Sequence, residues 1–233
     1  MLSALKSKFR SVPAIRRVAE AIGLASADPG HDHYHGDVAR GYLEKRLKQE
    51  HWHREQTVVR EMLQPMATGL QVLDVPVGTG RFVEMYLEKD MHVSGIDISQ
   101  DMLNMARQTL GPLYDRCEMR RGSADELPYA DGRFDLVVCF RFFGLIPLNM
   151  SKNVLAEIRR VCKGQVIIRV PVRKATAPPL PPAGESEPVQ GRLYEAEILA
   201  LFAAHGLRMV DQRTINEREH VAYVVYLLQR ADG

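Results

Sequence analysis

The sequence has few of the features that mark secreted, membrane-spanning or disulfide-stabilised proteins. Its three cysteines, Cys117, Cys139 and Cys162, are far apart and form no CxxC pair. This excludes a disulfide scaffold, a zinc ribbon and a thioredoxin-type site, and it favours a reduced, cytoplasmic compartment. Apolar runs such as Leu136–Phe140 and Val221–Leu228 fall far short of the ~20 residues of a membrane span. No apolar stretch follows the first basic residues, so we expect no secretory signal.

The sequence also lacks a large excess of charge of either sign. The formal net charge is +2, and no basic surface interleaved with aromatic residues is evident, which argues against a nucleic-acid partner. The 233 residues, 45% of them hydrophobic, predict one globular domain with an appendage.

Apolar segments with strand and helix periodicity alternate from Gln71 onward. This alternation predicts an α/β fold with a doubly wound, mostly parallel sheet and helices on both faces. The last two predicted strands, about 207–215 and 220–229, are joined by about four residues. A link so short cannot cross over between parallel strands, so they form an antiparallel hairpin.

The chain before this domain differs in character. We expect residues 1–65 to be a helical N-terminal extension and residues 66–233 to be the main domain, with a proline-rich insert at about 175–191. Residues 5–24 contain a short basic amphipathic pattern. Such a helix packs on the domain or on a second subunit, or makes weak contact with a membrane surface. The oligomeric state is left open.

The first strand of the domain ends in a glycine turn, Leu73-Asp74-Val75-Pro76-Val77-Gly78-Thr79-Gly80-Arg81-Phe82. Position 83 is Val rather than the third glycine of a dinucleotide fingerprint, and no P-loop Lys-Ser/Thr follows Gly80. Asp74 would repel a phosphate but suits a cation. The pattern therefore indicates a positively charged cofactor that carries an amino acid, and the alternative is an ordinary tight turn with no ligand.

The second strand ends at Asp97, whose carboxylate can accept hydrogen bonds from the two hydroxyls of a ribose. The alternative is that Asp97 or Ser99 caps the next helix, and Ser99 is the better candidate for that role. Asp125 follows the third strand, where it can accept from an adenine amine or simply belong to a turn.

Four segments, LDVPVGTGRF, GIDISQDMLNMAR, GSADELP and DGRFDLVVCFRF, occur in this order. Together they resemble the class I, Rossmann-like S-adenosylmethionine-dependent methyltransferases over about Gln71–Gly233. The resemblance implies a seven-stranded sheet with an antiparallel last strand, S-adenosyl-L-methionine as cofactor and S-adenosyl-L-homocysteine as product. The cofactor-binding residues that it implies are Tyr42, Asp74, Val75, Pro76, Gly78, Gly80, Asp97, Ile98, Met102, Ala124, Asp125 and Phe140.

In this assignment the turn from Asp74 to Gly80 holds the methionine part, Tyr42 touches the methionyl group, and Ile98 and Met102 flank the adenine. Ala124 and Asp125 meet the adenine edge, and the resemblance implies that the N-terminal extension, residues 1–65, closes over the site as a lid. The sequence departs from the family at Pro76, where a glycine is usual, and proline has no N–H to donate.

Arg141 is the candidate catalytic residue, because it follows Phe140 at the end of the fourth strand and faces the reaction centre. If Arg141, Arg169 and Arg173 converge, the acceptor carries a carboxylate or phosphate. The alternative is that these arginines pair with local acids. Further candidates near the acceptor are the histidines of the N-terminal segment and, beside them, Tyr42, Arg46 and Trp52. No metal site is predicted.

The predicted function is transfer of a methyl group to an oxygen or nitrogen of a small molecule or of a glycan or lipid precursor. The alternatives are a non-catalytic module that binds S-adenosylmethionine, and a protein or RNA methyltransferase.

Overall fold

A computed structural model describes residues 50–180 and 191–231. The helices are α1 (Glu50–Leu63), α2 (Val83–Leu87), α3 (Gln100–Leu110), α4 (Leu148–Val161) and α5 (Glu195–Ala204), with a 3-10 turn at Gly111–Arg116. The strands are β1 (Gln71–Asp74), β2 (His92–Asp97), β3 (Glu118–Arg121), β4 (Phe134–Cys139), β5 (Cys162–Arg173), β6 (Leu207–Glu217) and β7 (Val221–Arg230).

The strands form one seven-stranded sheet in the order β3-β2-β1-β4-β5-β7-β6. Neighbours from β3 to β5 are parallel, while β7 runs antiparallel to both β5 and β6. The predicted fold class, including the reversed last strand and the closing hairpin, is therefore confirmed. The insertion of β7 between β5 and β6 adds a detail that the short link alone did not specify.

Helices cover both faces of the sheet. On one face α1, α2 and α3 pack over Val72, Leu136 and Val138, and on the other face α4 and α5 pack over Val137 and Val166. Burying each such aliphatic side chain contributes roughly 1.5–3 kcal/mol. Because Val58, Val59, Met62 and Leu63 are buried in the first of these cores, α1 is packed into the domain along its length.

One boundary differs from the expectation. The helical spacing of Val154, Ile158 and Val161 predicts a helix that Gly164 ends, whereas α4 ends at Val161 and β5 begins directly at Cys162. Gly164 lies inside the strand, where an added Cβ would come within 2.2 Å of the Asp135 carbonyl oxygen. The glycine therefore permits a close approach of β4 rather than ending the helix.

Several predictions concern residues outside the described ranges. These are the amphipathic pattern of residues 5–24, the histidine-rich segment 31–35, Tyr42, Arg46 and most of the proline-rich insert.

Candidate active site

The strand order places the candidate site between β1 and β4. From β1 the chain moves to β2 and β3 on one side, and then returns to β4 on the other side of β1. In open α/β sheets, ligands bind beyond the carboxyl ends of the strands where the order reverses. The segments after Asp74 and Cys139, where β1 and β4 end, therefore line the site.

Asp74 ends β1 and is almost completely buried. Its Oδ2 accepts a hydrogen bond of 3.1 Å from the hydroxyl of Tyr86 on α2. Burial raises the pKa of Asp74 to about 8, although the Tyr86 hydrogen bond and the charge of Arg81 oppose the shift. A carboxyl group with such a pKa is ready to ionise when a cation comes near it.

The glycine turn after β1 depends on backbone conformations that favour glycine. Gly78 and Gly80 have φ values of 55° and 73°, which side chains disfavour. A Cβ on Gly80 would also meet Leu110 at 2.6 Å. Pro76 joins Val75 through a cis peptide bond. Val75 is fully buried, and its N–H donates to the Val138 carbonyl at 2.9 Å.

Asp97 connects this turn to the end of β2. One carboxylate oxygen accepts from the Gly78 N–H and the other from the Ser99 N–H, both at 2.9 Å. Burial raises the pKa of Asp97 to about 6, and the two backbone hydrogen bonds oppose the shift. The hydroxyl of Ser99 accepts from the Met102 N–H and caps α3, as expected for the better cap candidate. A carboxylate has about four acceptor positions, so Asp97 retains acceptor capacity for a ligand.

Apolar surface lies beside Asp97. Ile98 exposes 36% of its surface and Met102 is half-buried. A Cβ on Gly78 would meet only the Met102 methyl group, at 3.8 Å. An exposed isoleucine and a methionine next to a buried carboxylate suit a flat ring attached to a sugar.

The other predicted cofactor residues lie around this centre. Ala124 is buried, and Asp125 accepts a hydrogen bond from the Ser123 hydroxyl in the turn after β3. Phe140 is buried at the end of β4, where its ring stands edge-on to Phe82 with the ring centroids 4.9 Å apart. Phe140 is thus part of the packing beneath the site.

Arg141 follows Phe140 in a left-handed backbone conformation, with φ of 57°. Few residues other than glycine adopt it, and such strained positions concentrate at functional sites. The Arg141 Nη2 lies 3.0 Å from His51 Nε2. The conformation turns Arg141 back toward α1.

A buried glutamate, Glu55 of α1, gathers the arginines of this edge. Its Oε2 accepts from Arg81 Nη1 at 2.5 Å, and its Oε1 lies 3.0 Å from Arg169 Nε and 3.7 Å from Arg141 Nε. Burial lowers the pKa of Arg169 to about 10, while Glu55 opposes the shift. We call Glu55, Arg81, Arg141 and Arg169 the arginine cluster.

Trp52 of α1 completes this cluster from one side. Its carbonyl accepts from Arg81 Nη2 at 3.0 Å, and its ring centroid lies 3.7 Å from the Arg81 guanidinium carbon and 5.3 Å from that of Arg141. Cation–π contacts of this kind favour a guanidinium that has lost part of its hydration.

The structure thus brings together Arg141 and Arg169 but not Arg173, which donates to the Pro178 carbonyl. Glu55 and Arg81 were missed in the sequence. Glu55 is three residues after Trp52 and four before Val59, so all three lie on the buried face of one helix. A charged residue on an otherwise apolar helix face was the available signal.

Within residues 50–180 and 191–231, no group of three or more His, Cys, Asp and Glu side chains is arranged to hold a metal ion. Over the same ranges, no helix has the length and apolar character needed to cross a bilayer.

The fold and this site define a class of protein. Residues 72–165 match the family model described as a methyltransferase domain, and this stretch runs from β1 into β5. Together with the sheet order and the carboxylates after β1 and β2, the match supports a class I S-adenosylmethionine-dependent methyltransferase domain over this stretch.

Curated relatives carry a more particular name. Demethylmenaquinone methyltransferase of Lactiplantibacillus plantarum is 40% identical over 119 residues, which are 48% of this chain and 47% of that protein. The enzyme of the same name from Renibacterium salmoninarum is 35% identical over 102 residues, 43% of this chain and 40% of that protein. The chain thus matches less than half the length of these relatives.

Solved structures share the fold over more of the chain. A Burkholderia thailandensis 1,6-didemethyltoxoflavin-N1-methyltransferase, solved with its substrate and S-adenosylhomocysteine, has a TM-score of 0.61 at 17% identity and covers 89% of this chain and 99% of its own. The [4+2]-cyclase SpnF has a TM-score of 0.62 at 17% identity and covers 95% of this chain and 92% of its own. At such identities the likeness shows the fold alone.

Proposed function

We propose that this chain is an S-adenosylmethionine-dependent methyltransferase that moves a methyl group to an oxygen or nitrogen of a small molecule or of a glycan or lipid precursor. The observation that carries the proposal is Asp97, a buried carboxylate at the end of β2 that is held by the Gly78 and Ser99 amides beside the exposed Ile98. The family match over residues 72–165 supports it.

The residues present fit this cofactor. Asp97 would bind the ribose, Ile98 and Met102 would contact the adenine, and Ala124 and Asp125 would meet its edge. Asp74 and the turn to Gly80 would face the cationic methionine end. Pro76 offers no N–H here, and the N–H groups of Val75, Gly78 and Gly80 already donate within the protein. The turn would therefore contact the cofactor through the close approach that its glycines permit.

When bound, the cofactor supplies a methyl group on a positively charged sulfur, which is already an activated leaving group. The protein then has to hold the acceptor in line with that bond and keep water out. The loop after β4 and helix α1 are placed for this, since Arg141 and Trp52 meet there. An oxygen acceptor also needs a base, and His51 is a histidine that the structure brings next to Arg141.

The comparisons support the class of the acceptor. The relatives that share part of this sequence are named for demethylmenaquinone, which is a small molecule, and we therefore place a small-molecule acceptor first. Because the chain matches less than half of those proteins, their particular substrate is not assigned to this chain.

The proposal is tested by calorimetric titration of the full chain with S-adenosylmethionine and S-adenosylhomocysteine. Asp97→Ala should weaken both affinities by about a hundredfold, because alanine has no acceptor for the two ribose hydroxyls and two charge-assisted hydrogen bonds are lost. Asp101→Ala, on the first turn of α3, is the matched control and should bind normally. Equal affinities in the wild type and Asp97→Ala would reject the ribose role.

Turnover is tested separately, by labelled-methyl transfer into fractionated pools of metabolites, lipids, glycans, proteins and RNA. Label in the small-molecule or lipid pool supports the proposal, and label in protein or RNA supports the alternative enzymes. Tight cofactor binding with no transfer to any pool would favour a non-methylating role, an outcome made relevant by the cyclase that shares this fold.

A further inference from the structure

The arginine cluster contains more positive than negative charge. Arg81 and Arg169 both pair with the single carboxylate of Glu55, and in the described part of the chain their other contacts are the Trp52 carbonyl and ring, the Phe82 ring and the Tyr223 ring. Arg141 reaches the same carboxylate at 3.7 Å. Even without counting Arg141, two permanent cations share one anion.

The positive groups are also the ones that solvent can reach. The side chains of Arg141 and Arg169 are 21% and 12% exposed, whereas Glu55 is completely buried behind them. A ligand that enters from the carboxyl edge of the sheet therefore meets guanidinium groups before it meets the carboxylate. Guanidinium groups bind carboxylates and phosphates through paired, planar hydrogen bonds.

The location assigns this surface to the acceptor. Asp97, Ile98 and Met102, proposed here for the nucleoside, lie on the β2 side of the strand-order reversal, while Arg141 and Arg169 lie on the β4 and β5 side. Arg81 connects the nucleoside side with the acceptor side, because it directly follows Gly80 of the glycine turn.

We propose that the methyl acceptor carries a carboxylate or phosphate group, and that Arg169 and Arg141, supported by Arg81 and Glu55, bind that group. As a statement about the acceptor, it rests on the proposed methyltransferase function. Arg169 and Glu55 lie outside the stretch that matches the family model, residues 72–165, so this assignment comes from the geometry of this chain.

Trp52 allows a direct test, because it is the only tryptophan in the sequence and its ring contacts two arginines of the cluster. The cofactor-free full chain is titrated with sodium phosphate and, separately, with sodium acetate, at ionic strength held constant with sodium chloride. Tryptophan fluorescence should change and saturate with at least one of the two anions. Tighter binding of phosphate indicates an acceptor that carries a phosphate group, and tighter binding of acetate indicates one that carries a carboxylate.

Two variants should move the affinity in opposite directions. Arg169→Gln should weaken anion binding by about tenfold or more, because a charge-assisted contact is lost. Glu55→Gln should tighten it, because the competing carboxylate is removed. Arg133→Gln is the control: Arg133 donates to Gln71 at the opposite end of the strands and should leave anion binding unchanged.

If the arginine cluster has only a structural role, it should show no saturable anion binding that depends on Arg169. A linear response that matches the chloride blank, or equal anion affinities in the wild type and Arg169→Gln, would overturn the proposal. If circular dichroism shows that Arg169→Gln is unfolded, Glu55→Gln decides: tighter binding supports the proposal and unchanged or weaker binding rejects it. S-adenosylmethionine titration of the same wild-type sample tests the methyltransferase proposal independently, since the anion titration requires no cofactor.

Discussion

Asp74 is a carboxyl group removed from water at a place where the proposed ligand is positively charged. With Tyr86 as its hydrogen-bond donor and burial dominating its environment, its pKa lies near 8 rather than near 3.8. The folded domain therefore binds a proton at Asp74 more tightly than the unfolded chain does. This difference makes the residue a source of pH-dependent stability.

The sign of that dependence can be measured. Stability from Asp74 is fully present below about pH 4 and is lost as the pH rises toward about 8, at roughly 1.4 kcal/mol per pH unit between those limits. We expect the free energy of unfolding of the wild type to fall relative to that of Asp74→Asn between pH 5 and pH 8. Denaturant unfolding at several pH values checks this, and parallel curves for the two proteins would contradict it.

Asp97 gives a second pH dependence, now in binding. Its pKa is raised to about 6, and the ionised form is the one that accepts hydrogen bonds from ribose hydroxyls. The affinity for S-adenosylhomocysteine should therefore fall about tenfold per pH unit once the pH drops below about 6. Calorimetry from pH 5 to pH 7.5 tests this. In Asp97→Asn this decline should be absent, and its persistence there would assign it to another group.

At the scale of single elements, helix α1 matters most, because it carries both the core residues Val58 and Val59 and the cluster residues Trp52 and Glu55. Because the core residues and the cluster residues lie on the same buried face of this helix, its packing couples the core to the site. Changes that loosen its packing should also disturb Arg81, Arg141 and Arg169.

Val59→Ala tests whether helix α1 is packed into the core. Val59 is completely buried, and removing its two methyl groups should cost about 2 kcal/mol of unfolding free energy, from lost transfer energy and the cavity left behind. Glu61→Ala on the exposed side of the same helix is the control and should change stability by less than about 0.5 kcal/mol. A Val59→Ala protein as stable as this control would show that α1 is not part of the core.

Much of the element order could be read from the sequence, because strand and helix periodicities alternate strongly from Gln71 onward. The end of α4 could not. Gly164 has the sequence appearance of a helix terminator, and its actual role depends on the Asp135 carbonyl, which lies on another strand. The sequence raised the convergence of Arg141 and Arg169, but it missed Glu55 for the same reason, since Glu55 and Arg169 are far apart in sequence and only the fold brings them to 3.0 Å.

At the scale of the whole molecule, the proposed lid remains to be tested. If residues 1–49 help to close the site, a chain that begins at Glu50 should keep its thermal unfolding midpoint within a few degrees, because α1 is retained, and should lose most methyl transfer. Calorimetry and the labelled-methyl assay measure the two quantities. Undiminished transfer by the shortened chain would refute the lid.

The position of β7 between β5 and β6 has a consequence for biosynthesis. Strand β5 gains its second neighbour only after residues 221–230 have left the ribosome, although β5 itself emerges some fifty residues earlier. Until then the nascent chain presents the unpaired edge of a long apolar strand, including Val166, Ile168 and Val170. Translational pausing in this interval would prolong that exposure and favour chaperone capture or aggregation.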